Sequence, residues 1–203
     1  MNLFRALVLG AALTGTPAFA QSPAKAAPPP AVQTAIFAGG CFWCIEADFE
    51  KLPGVLRVES GYTAGRTPNP TYNQVSAGGT GHTEAVRVEF DASKVSYEKL
   101  VDYFWRHIDP TVKDAQFCDV GTQYRSGIYY QGEEQKRIAE ASKTALEKSG
   151  RFKKIHTELA PASAFYLAEE YHQDYYKKNP IRYTYYRKGC GRDARVAELW
   201  SPR

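Results

Sequence analysis

The chain has 203 residues, 43% of them hydrophobic and 24% charged, with a formal net charge of +4. That describes one globular domain able to bury its own core, and it excludes collagen-like, coiled-coil and wholly disordered chains. The charge alone is too small to argue for nucleic acid. Against this ordinary background stand four cysteines and a single methionine, Met1.

In chain order, Met1 to Arg5 carry one positive side chain, Ala6 to Gly15 form a short apolar run, and Ala18-Phe19-Ala20 offers small residues at a cleavage point. This pattern reads as a secretory signal peptide over 1–20, too short to span a bilayer. Residues 21–33, rich in Ala and Pro, read as a flexible leader. Export, to the periplasm or with secretion as the alternative, implies an oxidising compartment. There, four cysteines most simply make two structural disulfides.

The folded domain is expected over 34–203. Thr34 to Ala38 reads as a strand ending in Gly39-Gly40, followed by a helix with Cys41, Ile45, Phe49 and Leu52 on one stripe. Pro53-Gly54 stops that helix, and Val55 to Tyr62 reads as a strand. Thr63 to Gly81 reads as a loop. Thr83 to Asp91 alternates as a half-buried strand. Ser96 is placed to cap a helix reaching about Ile108. A second loop, Asp109 to Thr122, leads to a strand from Tyr124 to Tyr130. A helix from Gly132 to Lys148 is expected to bury Ile138, Ala141, Ala145 and Leu146. Ile155 to Leu159 reads as a strand and Ala168 to Lys178 as a helix. From Asn179 no period is visible, so 179–203 reads as an irregular, mobile tail. The expected class is α+β: one domain with a mixed sheet, packed helices and a split βαβ (ferredoxin-like) core.

Cys41 follows two glycines at a helix start, where unpaired N–H groups favour the thiolate, the nucleophilic form. Glu84 shares its strand face with Val86, Val88 and Phe90. A carboxyl desolvated in this way keeps its proton near neutral pH and can serve as an acid. Tyr72 and Tyr124 sit in or beside the two long loops, where a phenol can donate to an oxygen that gains charge. Cys44 completes a CxxC with Cys41. Cys190 lies between two glycines in the tail, and Cys118 reads as a partly buried free cysteine. His82, His107, His156 and His172 have no metal spacing and read as structural. A zinc site lacks a second close ligand pair. Two further classes fit part of the pattern. A disulfide-stapled exported binding module leaves Gly-Gly-Cys unexplained. A thioredoxin-like thiol-disulfide oxidoreductase leaves Glu84 and the tyrosines idle.

Gly39-Gly40-Cys41-Phe42-Trp43, Gly81-His82-Thr83-Glu84, Asp119-Val120-Gly121-Thr122-Gln123-Tyr124-Arg125-Ser126 and Glu170-Tyr171-His172-Gln173 together resemble the A-type peptide methionine sulfoxide reductases. The resemblance runs from about Thr34 to Asn179. It implies an enzyme that reduces the S epimer of methionine sulfoxide, free or in proteins. Cys41 then resembles the nucleophile, Glu84 the proton donor, Tyr72 and Tyr124 the donors to the sulfoxide oxygen, and Phe42 and Trp43 the walls of a methyl pocket. Asp119 resembles a residue that orders the site and contacts the substrate backbone. A sulfenic acid on Cys41 would condense with a second thiol, with Cys190 expected and Cys44 as the alternative, and an external dithiol would reset the enzyme. The implied partners are oxidised proteins or peptides and an exported thioredoxin-like reductant. No metal, organic cofactor, nucleic acid or stable membrane association is implied, and a monomer is expected.

Overall fold

The computed structural model describes residues 31–202. The signal peptide and all but the end of the leader lie outside them. Strand β1 (Val32–Gly39) takes in the leader's last two residues, so the leader is shorter than expected. Helix α1 (Phe42–Phe49), β2 (Val55–Thr63), the short α2 (Tyr72–Ser76), β3 (Thr83–Asp91) and α3 (Tyr97–Trp105) follow. Next come a two-stranded hairpin of β4 (Ala115–Gln116) and β5 (Asp119–Val120), then β6 (Ser126–Tyr130) and α4 (Gly132–Lys148). Strands β7 (Glu158–Pro161) and β8 (Tyr166–Leu167) precede α5 (Tyr175–Lys178), α6 (Pro180–Gly189) and α7 (Arg192–Trp200).

One six-stranded sheet runs β7-β6-β1-β3-β2-β8. β3 is antiparallel to both β1 and β2, so the β1-α1-β2 crossover is split by an inserted strand, as expected. β6 and β7 pair in parallel through α4. The sheet is therefore mixed, and the α+β expectation holds. The main core lies where α1 and α3 cover one face, with Phe37, Phe49 and Phe104 stacked in its centre.

Several local expectations are corrected. The loop 63–81 contains α2, which is opened by a capping box between Thr71 and Gln74, a signal present in the sequence. Tyr124 lies in a 3-10 turn (Thr122–Tyr124) before β6 rather than in the strand. Helix α4 has the expected bounds, but Ala141 and Ala145 face solvent and Ala139 is its buried contact. The helix expected from Ala168 is replaced by β8, a 3-10 turn at Glu170–His172 and the single turn of α5. The expected strand Ile155–Leu159 is displaced to β7.

The largest correction is the tail, which is helical. Helices α6 and α7 meet at Gly191, whose φ of +64° is a left-handed break. α6 escapes hydrophobic periodicity because its anchors are Tyr183 and Tyr186, and α7 because it is held by Arg192 at its start and by Leu199 and Trp200 only at its end. Arg192 is buried to 2% exposure, and its guanidinium donates to the carbonyls of Gly39 and His107. Long polar side chains cover apolar surface in a way that a simple hydrophobic stripe does not record.

Candidate active site

Gly39 and Gly40 end β1 and set Cys41 at the N-cap of α1. A Cβ at Gly39 would lie 2.5 Å from Ile45 Cδ1. One at Gly40, where φ is +83°, would lie 2.5 Å from Gln116 Cβ. The glycines thus admit the protein's own close packing around the cysteine. Gln116 is itself fixed by accepting from the Asp109 N–H and donating to the Asp109 carbonyl.

A pocket of about 210 Å³ opens at Cys41 and is lined by Cys41, Phe42, Trp43, Tyr72, Glu84, Asp119, Tyr124 and Tyr186. Seven of these are the residues expected from sequence to react or to hold substrate. Five elements supply them: the N-terminus of α1, the start of α2, the start of β3, the start of β5 and the 3-10 turn before β6. Wider grooves along α4 are lined by residues such as Glu133, Arg137 and Lys148 and hold no nucleophile.

Glu84 is 2% exposed. Its Oε2 accepts from the Phe42 N–H at 3.0 Å. Burial pushes its pKa up to about 8, against the lowering effect of that hydrogen bond. The carboxyl is accordingly protonated at neutral pH, as its strand position predicts. The same contact uses a helix-start N–H that was expected to favour the Cys41 thiolate. Burial pushes the Cys41 thiol well up, helped by Cys44 beside it. The expectation of an easily ionised Cys41 is therefore corrected, because burial outweighs the helix start.

Cys44, 2% exposed on α1, is the acidic member of the pair. A hydrogen bond from Cys41 pulls its pKa down most, and Arg192 and Arg187 add to this against burial. These two arginines belong to the C-terminal helices and also face Asp48, 2.9 Å from Arg187 Nη1 and 3.7 Å from Arg192 Nε. Both Cys41 and Cys44 are free thiols.

The aromatic wall is fixed by hydrogen bonds and stacking. The Trp43 indole N–H donates to His172 Nδ1 at 3.0 Å, and its ring stacks on Tyr175 at 3.7 Å between centroids. His172, expected to be merely structural, thereby sets the orientation of Trp43. Burial lowers its pKa, in keeping with a neutral ring whose Nδ1 is an acceptor. The Tyr72 N–H donates to Glu169 Oε1 at 2.8 Å, and its ring lies 4.4 Å from that of His172. Burial raises the Tyr72 phenol to about 12 and pushes Tyr124 up as well, so both are hydroxyl donors.

Sequence reasoning missed Tyr186. Its hydroxyl donates to Asp119 Oδ2 at 2.6 Å, it lines the pocket with Cys41, and its ring stands edge-on to Trp43. It was hidden among the seven tyrosines between Tyr166 and Tyr186, which carry no spacing signal. Cys118 is also corrected. It is exposed and disulfide-bonded to Cys190, with Cα atoms 4.9 Å apart. Cys190, expected to receive the oxidised Cys41, is thus held at the C-cap of α6 by another partner.

Comparison with known proteins agrees with this geometry. Residues 33–203 match the family model described as peptide methionine sulfoxide reductase. "Peptide methionine sulfoxide reductase MsrA 2" of Caulobacter vibrioides is 50% identical over 181 residues, 89% of this chain and 91% of that protein. The Bacillus licheniformis MsrA is 51% identical over 83% of this chain and 93% of its own length. Among solved structures, methionine sulfoxide reductase A of Corynebacterium diphtheriae superposes with a TM-score of 0.67 at 39% identity, covering 75% of this chain and 77% of that one. Reduced Mxr1 of Saccharomyces cerevisiae gives 0.69 at 32% identity, covering 77% and 90%. The chain belongs to the peptide methionine sulfoxide reductase family.

Proposed function

We propose that the chain reduces the S epimer of methionine sulfoxide, free or in proteins, to methionine, with Cys41 as the nucleophile. The observation that carries this reading is that one pocket holds a free cysteine, a protonated buried carboxyl and two phenols. A sulfoxide sulfur is a modest electrophile with a poor leaving oxygen, so attack on sulfur must coincide with protonation of that oxygen. Phe42 and Trp43 wall the methyl group, and Asp119 holds the substrate backbone. Glu84, Tyr72 and Tyr124 face the oxygen.

As the Cys41 sulfur bonds to the sulfoxide sulfur, its proton passes to Cys44, the more acidic thiol of the pair, acting in its ionised form. Glu84 gives its proton to the oxygen, and the hydroxyl then passes to the Cys41 sulfur as the bond between the two sulfurs breaks. The substrate sulfur gains two electrons and Cys41 loses two, giving methionine and a sulfenic acid. The Cys44 thiol then displaces the hydroxyl as water and closes a Cys41–Cys44 disulfide. An external dithiol restores both thiols and is itself oxidised. The proton released at Cys44 on return to its thiolate replaces the one lost by Glu84. Proximity favours Cys44 over Cys190 as the resolving thiol.

The protein acts as an exported monomer, in the periplasm, with an exported thioredoxin-like dithiol as reductant. Support for export is the signal pattern of residues 1–20. Sizing the secreted protein and sequencing its N-terminus tests both; an uncleaved Met1 or a stable dimer would overturn them. The activity is tested with the two sulfoxide epimers and dithiothreitol. Methionine is expected from the S epimer alone, and equal rates on both epimers would refute the assignment.

A further inference from the structure

The sequence has no second close pair of metal ligands, but the fold makes one from cysteines 72 residues apart. Cys118 is exposed on the turn between β4 and β5, and Cys190 is half-buried at the C-cap of α6. A carboxylate oxygen of Asp119 joins them, and the three ligand atoms lie within 4.8 Å of one another. The two oxygens of Asp119 face different groups. Oδ2 accepts from the Tyr186 hydroxyl, while Oδ1 lies 3.7 Å from the Cys118 sulfur.

These spacings suit a metal ion. Zinc binds a thiolate at about 2.3 Å and a carboxylate oxygen at about 2.1 Å, so a tetrahedral site sets sulfur and oxygen about 3.6 Å apart. The Oδ1 to Cys118 distance already has that value. The same geometry sets two sulfurs about 3.8 Å apart. That is the separation of two thiols in contact, which the Cys118 and Cys190 sulfurs reach once the bond between them is reduced. The C-cap has room to shift, since a Cβ at Gly189 or Gly191 would meet nothing within 4 Å. Charge fits as well. Two thiolates and a carboxylate carry three negative charges, of which a divalent cation cancels two, and the positive charge of Arg192 reaches Asp119. The carbonyls at the end of α6 add partial negative charge.

We propose that Cys118, Cys190 and Asp119 form a binding site for a thiophilic divalent cation of the zinc and cadmium type, open only when the Cys118–Cys190 bond is reduced. A dithiol or phosphine gives two electrons to the disulfide, is itself oxidised, and leaves two thiols. The cation then binds both sulfurs and their two protons pass to water. Asp119 Oδ1 is the third ligand and water the fourth. Thiolates select such ions over magnesium and calcium, which prefer oxygen. The exposed Cys118 gives the ion its entry path. Cation and disulfide exclude each other, so oxidation of the pair expels the metal. This site stands apart from the sulfoxide chemistry and does not depend on it.

The full chain is reduced with a phosphine, desalted without air and titrated with cadmium chloride, following the thiolate-to-cadmium ultraviolet band. The reduced wild type is expected to take up about one cadmium per chain, and protein with the Cys118–Cys190 bond intact none. Cys118→Ser and Cys190→Ser are each expected to lose the band, and Asp119→Asn to bind about tenfold more weakly or worse. The Cys41→Ser/Cys44→Ser protein, which lacks the two free thiols, is expected to keep the band. No band from the reduced wild type, or an undiminished one from Cys118→Ser or from protein with the disulfide intact, would overturn the site. Unchanged affinity in Asp119→Asn would overturn the ligand set.

Discussion

Replacing Glu84 by Gln removes an acid while keeping its shape. The amide oxygen still accepts from the Phe42 N–H, and the amide nitrogen still reaches the pocket. In the wild type, moving the carboxyl from 4.5 to about 8 penalises its ionised form by roughly 5 kcal/mol. Two consequences follow with opposite signs. For catalysis, loss of a positioned proton donor costs about 10²- to 10⁴-fold, or roughly 3–5 kcal/mol of barrier. The first-turnover rate of the wild type should fall as pH rises through about 8, and the variant should lack that limb. For stability, the native carboxyl holds its proton between 4.5 and about 8 while the unfolded chain has lost it. Wild-type stability therefore declines across that window by up to ~1.4 kcal/mol per pH unit from this group. The Gln variant is spared that decline, and above the window it should be the more stable protein. Single-turnover methionine release from pH 6 to 9.5, beside urea melts over the same range, measures both. A variant within twofold of wild type at pH 7, or one that keeps the break near 8, would refute the assignment of Glu84 as the acid.

The other groups give sharper single readings. Tyr72→Phe and Tyr124→Phe should each slow the first turnover about tenfold or more, and the double variant more than either, since each removes a donor to the developing oxygen charge; unchanged rates in both would remove the phenols from the mechanism. Arg192→Leu should destabilise by about 3–5 kcal/mol in a denaturant melt, because it strips a buried partner from Asp48 and from two carbonyls; a loss under 1 kcal/mol would mean that Arg187 alone suffices. His172→Phe should loosen Trp43, raising KM more than it lowers kcat and shifting the tryptophan emission. An unchanged KM would show that the Tyr175 stack alone holds the indole.

What the sequence made legible depended on how each element is held. β1, β3 and α3 announce themselves because aliphatic side chains repeat with the period of the backbone, and Ser96 caps α3 as expected. The pocket residues were legible for a different reason. Cys41, Glu84 and Asp119 lie in short motifs whose glycines and turns leave little freedom. The C-terminal helices were invisible because tyrosines and arginines hold most of their length, and Leu199 and Trp200 add an apolar anchor only at the end. The Cys118–Cys190 bond was equally hidden. Its residues are 72 apart, and their meeting depends on α6 being a helix at all. Misreading that segment as a mobile tail is what left Cys190 free to visit Cys41 and left Cys118 without a partner.

The charge arrangement of the finished site says where its protons move. Cys41, Glu84, Asp119, Tyr72, Tyr124 and Tyr186 are all pushed up, in each case chiefly by burial. Cys44 is pulled down instead, by the hydrogen bond from Cys41 and by Arg192 and Arg187. Donors thus surround the space for the sulfoxide oxygen, while the acceptor sits behind the nucleophile. Cys44→Ser should therefore harm the first turnover and not only recycling. Without the acceptor, Cys41 must ionise against its own burial, so the rate should climb as pH rises from 6 until Glu84 begins to lose its proton near 8. The variant's profile becomes a low bell with a steeper acid limb than the wild type's. Stopped-flow methionine release in the absence of reductant isolates this step. A Cys44→Ser protein whose first turnover matches wild type at pH 7 would leave Cys44 as a resolving thiol and nothing more.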